Sequence, residues 1–240
     1  NHNNKNFLVD FFELQKQTNL SKYLPIVDLA HLNILKKAQV IPNKVYLKLK
    51  NYFNKEIAKK NEYSNFSSGD IYENRIKNLK NIGKYYQFIH AGRSRRDVIN
   101  TCLSLASREK LILLISELIN LVEALIYVSK KNYNVIFPDF TYNQKSQPNF
   151  LSHFFLSYAF PIIRTLEGLF LNLDKILLYP GSIGAVNGSS FNIDRKLAAK
   201  ILKYNGILEN TRDAMWPIDI YFETSSNLSS LMIIIDRILS

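Results

Sequence analysis

His90-Ala91-Gly92-Arg93-Ser94-Arg95-Arg96-Asp97 leads directly into a long apolar run over residues 98–131. A small residue and a glycine come first, then a dense polar and charged cluster, then apolar periodicity. This is how an anion-binding loop at a helix start is written: backbone N–H groups and arginine forks both face a carboxylate. In the run that follows, positions 111–115, 118–119, 121–122 and 124–128 are apolar, and Glu117, Asn120 and Glu123 form a thin polar stripe. A helix so apolar is buried in a bundle rather than lying on a surface.

The rest of the chain is read as mostly helical, an all-α fold. Helices are predicted over 22–41 and 43–60, with Pro42 at the junction. Another runs from an Asp70 N-cap to Leu79, after a polar loop at 64–69. Further helices are predicted over 98–131 and 149–177, in a short stretch to Lys203 capped by Asp194 or Asn192, and from 218 to the end. Residues 132–149 read as irregular, with Pro138 and Pro148 as breakers. Residues 179–192 and 211–217 read as loops. No internal repeat and no useful β alternation is seen.

Composition narrows the function. With 240 residues and 47% hydrophobic content, the chain builds a substantial core and is not disordered. The single Cys102 excludes an internal disulfide framework and fits a reducing, cytoplasmic compartment. No unbroken run of about 20 uncharged apolar residues occurs, so no membrane span is predicted. The start, Asn1-His2-Asn3-Asn4, lacks a Met and the apolar core of a signal peptide and reads as a trimmed beginning. The net charge of +11 is spread along the chain without a basic stripe, helix-turn-helix or zinc spacing. Nucleic acid is therefore not the expected partner; an anionic small-molecule substrate is. No metal cluster or nucleotide loop is legible, so no cofactor and no metal are expected.

Four stretches, in order, carry a resemblance. Residues 70–79 resemble D-I-H-T-x-x-E-x-x-L, and residues 90–97 resemble H-T-G-R-S-R-N-D. Residues 138–153 resemble P-G-Y-T-H-L-Q-R-A-Q-P-x-x-x-x-H. Residues 184–195 resemble G-A-L-A-G-T-x-x-x-I-D-R, followed by a T-R-N counterpart at Thr211-Arg212-Asp213. Asp28-Leu29-Ala30-His31 fits an early D-x-A-H pattern more loosely. Together they resemble the argininosuccinate lyase branch of the fumarase/aspartase superfamily.

The resemblance implies a small N-terminal helical domain over 1–92 and a central helix bundle over 93–240. Four bundles would pack into the core of a homotetramer whose active sites are shared between subunits. It also implies a carbon–nitrogen lyase of arginine biosynthesis that splits argininosuccinate, or a related N-succinyl conjugate, into fumarate and the amine-bearing product. Elimination passes through an aci-carboxylate dianion, which needs fixed donors, a base, and a proton donor near the leaving nitrogen. By position, Ser94 and Arg95 would hold a substrate carboxylate. Arg96 stands where the family has an Asn, replacing a donor–acceptor amide by a larger donor-only cation that changes or fills the pocket. Thr141 would donate to the substrate, and Gln144 would orient it. Tyr142 stands where the family has its catalytic histidine; a phenol is a proton donor at neutral pH, whereas an imidazole donates or accepts. Gln147 is expected to tie down loop backbone, and His153 to be a satisfied structural histidine.

Other positions depart from the pattern. Tyr72 replaces the D-I-H histidine, and Ile76 the following glutamate. The S-D-R-D stretch is here Asp219-Ile220-Tyr221-Phe222. The G-S-S-x-M-P-x-K-x-N-P loop that carries the family's catalytic base does not occur in these 240 residues, so the chain is expected to be a fragment. The alternative to an active lyase is a catalytically impaired homologue kept as a structural or regulatory subunit.

Overall fold

The computed structural model describes residues 18–59 and 71–239. The expected Asp70 cap and the loop at 64–69 lie outside those residues. Eight α-helices follow one another among the described residues: α1 (Leu24–Lys37), α2 (Asn43–Lys59), α3 (Ile71–Leu79), α4 (Arg95–Lys131), α5 (Leu151–Ile176), α6 (Arg195–Ile201), α7 (Thr211–Met215) and α8 (Ile218–Leu239). The fold is all-α, as its apolar periodicity dictates, with two small two-stranded sheets added. One pairs β1 (Ile136–Thr141) with β2 (Gln144–Phe150) in an antiparallel hairpin; the other pairs β3 (Leu178–Tyr179) with β4 (Gly206–Ile207) in parallel.

The hairpin corrects the irregular reading of 132–149. Both prolines lie in strands, and Pro138 faces Pro148 across the ladder. In a two-stranded sheet each strand is an edge, and a residue without an N–H fits there. The register shifts between Pro138 and Phe140, where Asp139 accepts from Asn149 Nδ2 at 2.7 Å and holds the strands together across the irregularity. Tyr142 and Asn143 form the turn with φ of 49° and 60°. Those angles match the two-residue I′ turn that follows the right-handed twist of its strands.

The chain divides into two compact units, 1–108 with 176–217 and 109–175 with 218–240. The first unit thus extends past the boundary expected between residues 92 and 93. The first turns of α4 explain this: Val98, Cys102 and Leu105 pack into the same core as Leu24, Val27, Ile34, Tyr179 and Ala198, so the start of α4 belongs with the N-terminal helices. Cys102 is one of these packed side chains, and burial pushes its thiol up and keeps it protonated. A second cluster of the first unit joins Leu32, Leu49, Phe53, Leu79 and Ile89.

The second unit is the remainder of α4, the hairpin, most of α5, and α8. Ser129 Oγ donates to the Ser152 carbonyl at 3.3 Å, and Phe137 meets Phe154 edge to face at 5.3 Å, which seats the hairpin on its helices. Asn172 donates to Glu223 at 3.2 Å and accepts from Asn227 at 2.5 Å, joining α5 to α8. Gly168 lets that asparagine approach, since a Cβ there would lie 2.9 Å from Asn227 Oδ1. Much apolar surface is left uncovered, including Leu113 (54% exposed), Phe160 (59%), Leu171 (65%), Phe222 (73%) and Ile233 (66%). By length and composition α4 and α5 are apolar enough to cross a membrane, a property that the count of uncharged runs misses. Core helices of soluble proteins share it.

Candidate functional site

The 90–97 loop rests on a buried ion network. Asp28, on α1, accepts from Arg75 Nε at 2.8 Å and from Arg93 Nη2 at 2.5 Å. Arg75 also grips both oxygens of Glu56, at 2.8 and 2.7 Å. Two cations and two anions balance, so no net charge is buried. Burial alone would raise the Asp28 carboxyl, but Arg93 and Arg75 outweigh it and hold the group below its ordinary range. Arg93, not singled out in the sequence, is therefore the arginine that anchors the loop. Its partner lies 65 residues away, and no local pattern announces the pair.

His31, one turn along α1 from Asp28, fixes the next point by hydrogen-bonding the Ala91 carbonyl through Nε2 at 2.8 Å. Desolvation, reinforced by Arg93, pushes its pKa down to about 3, so the ring is neutral and Nε2 carries the donated proton. The chain turns at Gly92, whose φ is +67° and whose missing Cβ would lie 3.1 Å from Phe191 and Ser189. A side chain there would be strained by the backbone angle and would crowd both neighbours.

Ser94 is the N-cap of α4. Its hydroxyl donates to the Asp97 carboxylate at 2.8 Å and accepts from the Asp97 N–H at 3.4 Å, while its own N–H bonds that carboxylate at 2.8 Å. This is a reciprocal capping box with aspartate in the third position. Asp97 also accepts from Ile183 N at 2.5 Å and from Ala185 N at 3.5 Å. One carboxylate thus ties the 90–97 loop to the 184–195 motif. That second loop is held further by Thr211 Oγ1 on the Val186 carbonyl at 2.6 Å and by Arg195 on the carbonyls of Gly181, Leu208 and Glu209. A Cβ on Gly184 would stand 2.4 Å from the Gly188 carbonyl oxygen, so the turn requires glycine. The motifs containing Asp28, Tyr72, Arg93, Asp97, Ala185 and Thr211 are all brought together within the first unit.

Arg95 is exposed and lies 3.6 Å from Glu73. Arg96 stacks on the ring of Trp216, 3.9 Å from its centroid. Asn100, one turn further along α4, donates to the Met215 carbonyl at 2.8 Å and fixes the segment carrying the indole. Trp216 was not read as a site residue; its only signal is that it is the single tryptophan in the chain.

Thr141, Tyr142 and Gln144 fall at the tip of the hairpin, in the second unit. All three are exposed, Tyr142 to 99%. The predicted residues therefore form two groups on separate units, one at the start of α4 and one at the hairpin turn. Gln147 and His153 are also exposed. A cavity of about 490 Å³ lined by β3, α6 and β4 contains none of the predicted residues. Among the described residues, no group of three or more His, Cys, Asp or Glu side chains could hold a metal ion.

The family described as "Lyase" matches residues 27–240. Argininosuccinate lyase of Methanothrix thermoacetophila is 30% identical over 215 residues, 89% of this chain and 44% of that protein. Argininosuccinate lyase of Sulfolobus acidocaldarius is 35% identical over 211 residues, 84% of this chain and 46% of that protein. The chain thus spans less than half the length of these relatives. Among solved structures, EDDS lyase in complex with formate superposes with a TM-score of 0.78 at 19% identity, covering 93% of this chain and 45% of that one. Fumarate lyase:delta crystallin from Brucella melitensis bound to cobalt gives 0.77 at 16% identity, covering 94% and 55%. At those identities the two structures speak for the fold, while the sequence matches speak for descent. The chain belongs to the lyase family of the fumarase/aspartase superfamily and is an argininosuccinate lyase-like member of it.

Proposed function

We propose that the chain is part of a carbon–nitrogen lyase that eliminates fumarate from argininosuccinate or a closely related N-succinyl conjugate, in the arginine-forming chemistry of the cytoplasm. The observation that carries this reading is the Asp97 clamp, which binds two motif loops into one rigid frame at the start of α4. Preorganised donors are what an aci-carboxylate dianion requires. In this reading Arg95 and Arg96 meet the substrate carboxylates, with Ser94 setting their backbone. Thr141 and Gln144 position the substrate. A base takes the proton from the carbon next to the one that bears the nitrogen, the carbon–nitrogen bond breaks to leave fumarate, and Tyr142 gives its phenolic proton to the departing nitrogen. The two groups of residues come from different subunits of a homotetramer. The uncovered apolar faces of α4, α5 and α8 support that assembly.

The test is fumarate release by the protein expressed from its natural reading frame, with argininosuccinate and a panel of other N-succinyl amino acids. Fumarate from at least one of them is expected; none from any sinks the reading. A second reading, an impaired homologue serving as an oligomer subunit, is favoured by one observation: a tyrosine occupies the position of the family's catalytic histidine. Under the lyase reading Tyr142→Phe abolishes turnover. Under the second, neither Tyr142→Phe nor Tyr142→His changes a rate that is already nil.

A further inference from the structure

Tyr72 and His90 form a pair that the elimination chemistry above does not use. The Tyr72 phenol and His90 Nδ1 are 2.6 Å apart, with their rings tilted at 41°. Tyr72 is buried, at 5% exposure, whereas His90 is exposed. A buried hydroxyl proton needs an acceptor, and His90 Nδ1 is placed to be it. Nδ1 is then the bare nitrogen, and a neutral imidazole carries its proton on Nε2. Burial, then Arg93, lowers the His90 pKa, which keeps the ring neutral near pH 7. Burial also raises the Tyr72 pKa, which keeps the phenol protonated. The buried phenol thus leads to an exposed imidazole. That imidazole sits beside the turn into α4, with its carbonyl accepting from Arg93 N at 3.4 Å.

We propose that His90 is a substrate contact, presenting Nε2–H to a carboxylate oxygen of a dicarboxylate ligand, and that Tyr72 is its positioning residue. The proposal rests on the lyase reading for the identity of the substrate but not for the contact itself. An Nε2–H facing a carboxylate makes a charge-assisted hydrogen bond, whose loss weakens binding by about 10- to 100-fold. The pairing also gives Tyr72 a purpose at the position where the family has a histidine.

The test uses the full protein and succinate as probe, so that it reads binding apart from turnover. Nitrogen-15 NMR of the histidine rings is expected to show His90 in the Nε2–H tautomer, with its signals moving as succinate is added. His90→Ala should weaken succinate binding by about 10- to 100-fold. Circular dichroism of that variant checks that the fold is kept. Tyr72→Phe retains the buried ring and should mix the His90 tautomers, with a smaller loss of binding. In an active enzyme His90→Ala raises KM more than it lowers kcat. If succinate binds the wild type but leaves the His90 signals and the His90→Ala affinity unchanged, the proposal is overturned. It is equally overturned if His90 is found in the Nδ1–H tautomer. If no substrate yields fumarate yet succinate binding depends on His90, the contact stands and the lyase reading falls.

Discussion

Asp28 is the residue on which the 90–97 loop depends. Its two oxygens each take one of Arg75 and Arg93, all three side chains being almost fully buried, and Glu56 supplies the second negative charge. Asp28→Asn leaves excess positive charge in the interior and should cost about 3–5 kcal/mol, measured by urea unfolding. Replacing the exposed Glu73 near Arg95 should cost less than about 1 kcal/mol. The same centre sets an acid limit. His31 has a folded pKa near 3 against 6.5 for an ordinary histidine, so the unfolded chain binds the extra proton first. Stability is fully present above about pH 6.5 and falls as the pH drops toward 3. Asp28 works in the same direction lower down, since its depressed pKa makes its contribution disappear as the pH falls through the folded value. Midpoints of thermal unfolding between pH 7 and about pH 4 should fall steadily, and His31→Asn should flatten that slope.

At the scale of elements, Asp97 joins the start of α4 to the loop that follows β3. Ser94→Ala removes a cap alone and should cost about 1 kcal/mol. Asp97→Ala removes the cap's partner and leaves the buried Ile183 N–H unpaired, for about 2–4 kcal/mol. Equal costs for the two, measured by chemical denaturation, would mean that Asp97 does not tie the loops. Much of this was legible in the sequence. Ser94 and Asp97 are a capping pattern ahead of an apolar run, and Asp194 heads α6 by accepting from Leu197 N, as its position suggests. The hairpin was not legible. Pro138 and Pro148 are strand breakers when read singly, and their pairing across two edge strands depends on a register no local signal gives. The turn lacks the glycine that usually marks it, with Tyr142 and Asn143 taking the left-handed angles instead. Arg95 and Arg96 were singled out by resemblance, whereas the anchoring role of Arg93 depends on partners on α1 and α3 that only folding brings near.

For the whole molecule, the second unit leaves large side chains of α4, α5 and α8 exposed that a single chain does not cover. Sedimentation equilibrium should show a tetramer at micromolar concentration. A monomer would remove the assembly on which a shared site depends. The proposal that sites are shared between subunits is tested by mixing them. Arg95→Ala disables the group at the start of α4, and Tyr142→Phe disables the group at the hairpin turn. Each variant is expected to be inactive alone. Under that proposal, co-assembly of the two brings an intact α4 loop from one chain together with an intact hairpin from another in some sites. The measurement is fumarate formation from argininosuccinate by the wild type, by each variant and by the reassembled mixture. Fumarate from the wild type and the mixture, and almost none from either variant, is the predicted result; a wild type that forms no fumarate, or a mixture as inactive as its components, would contradict the account.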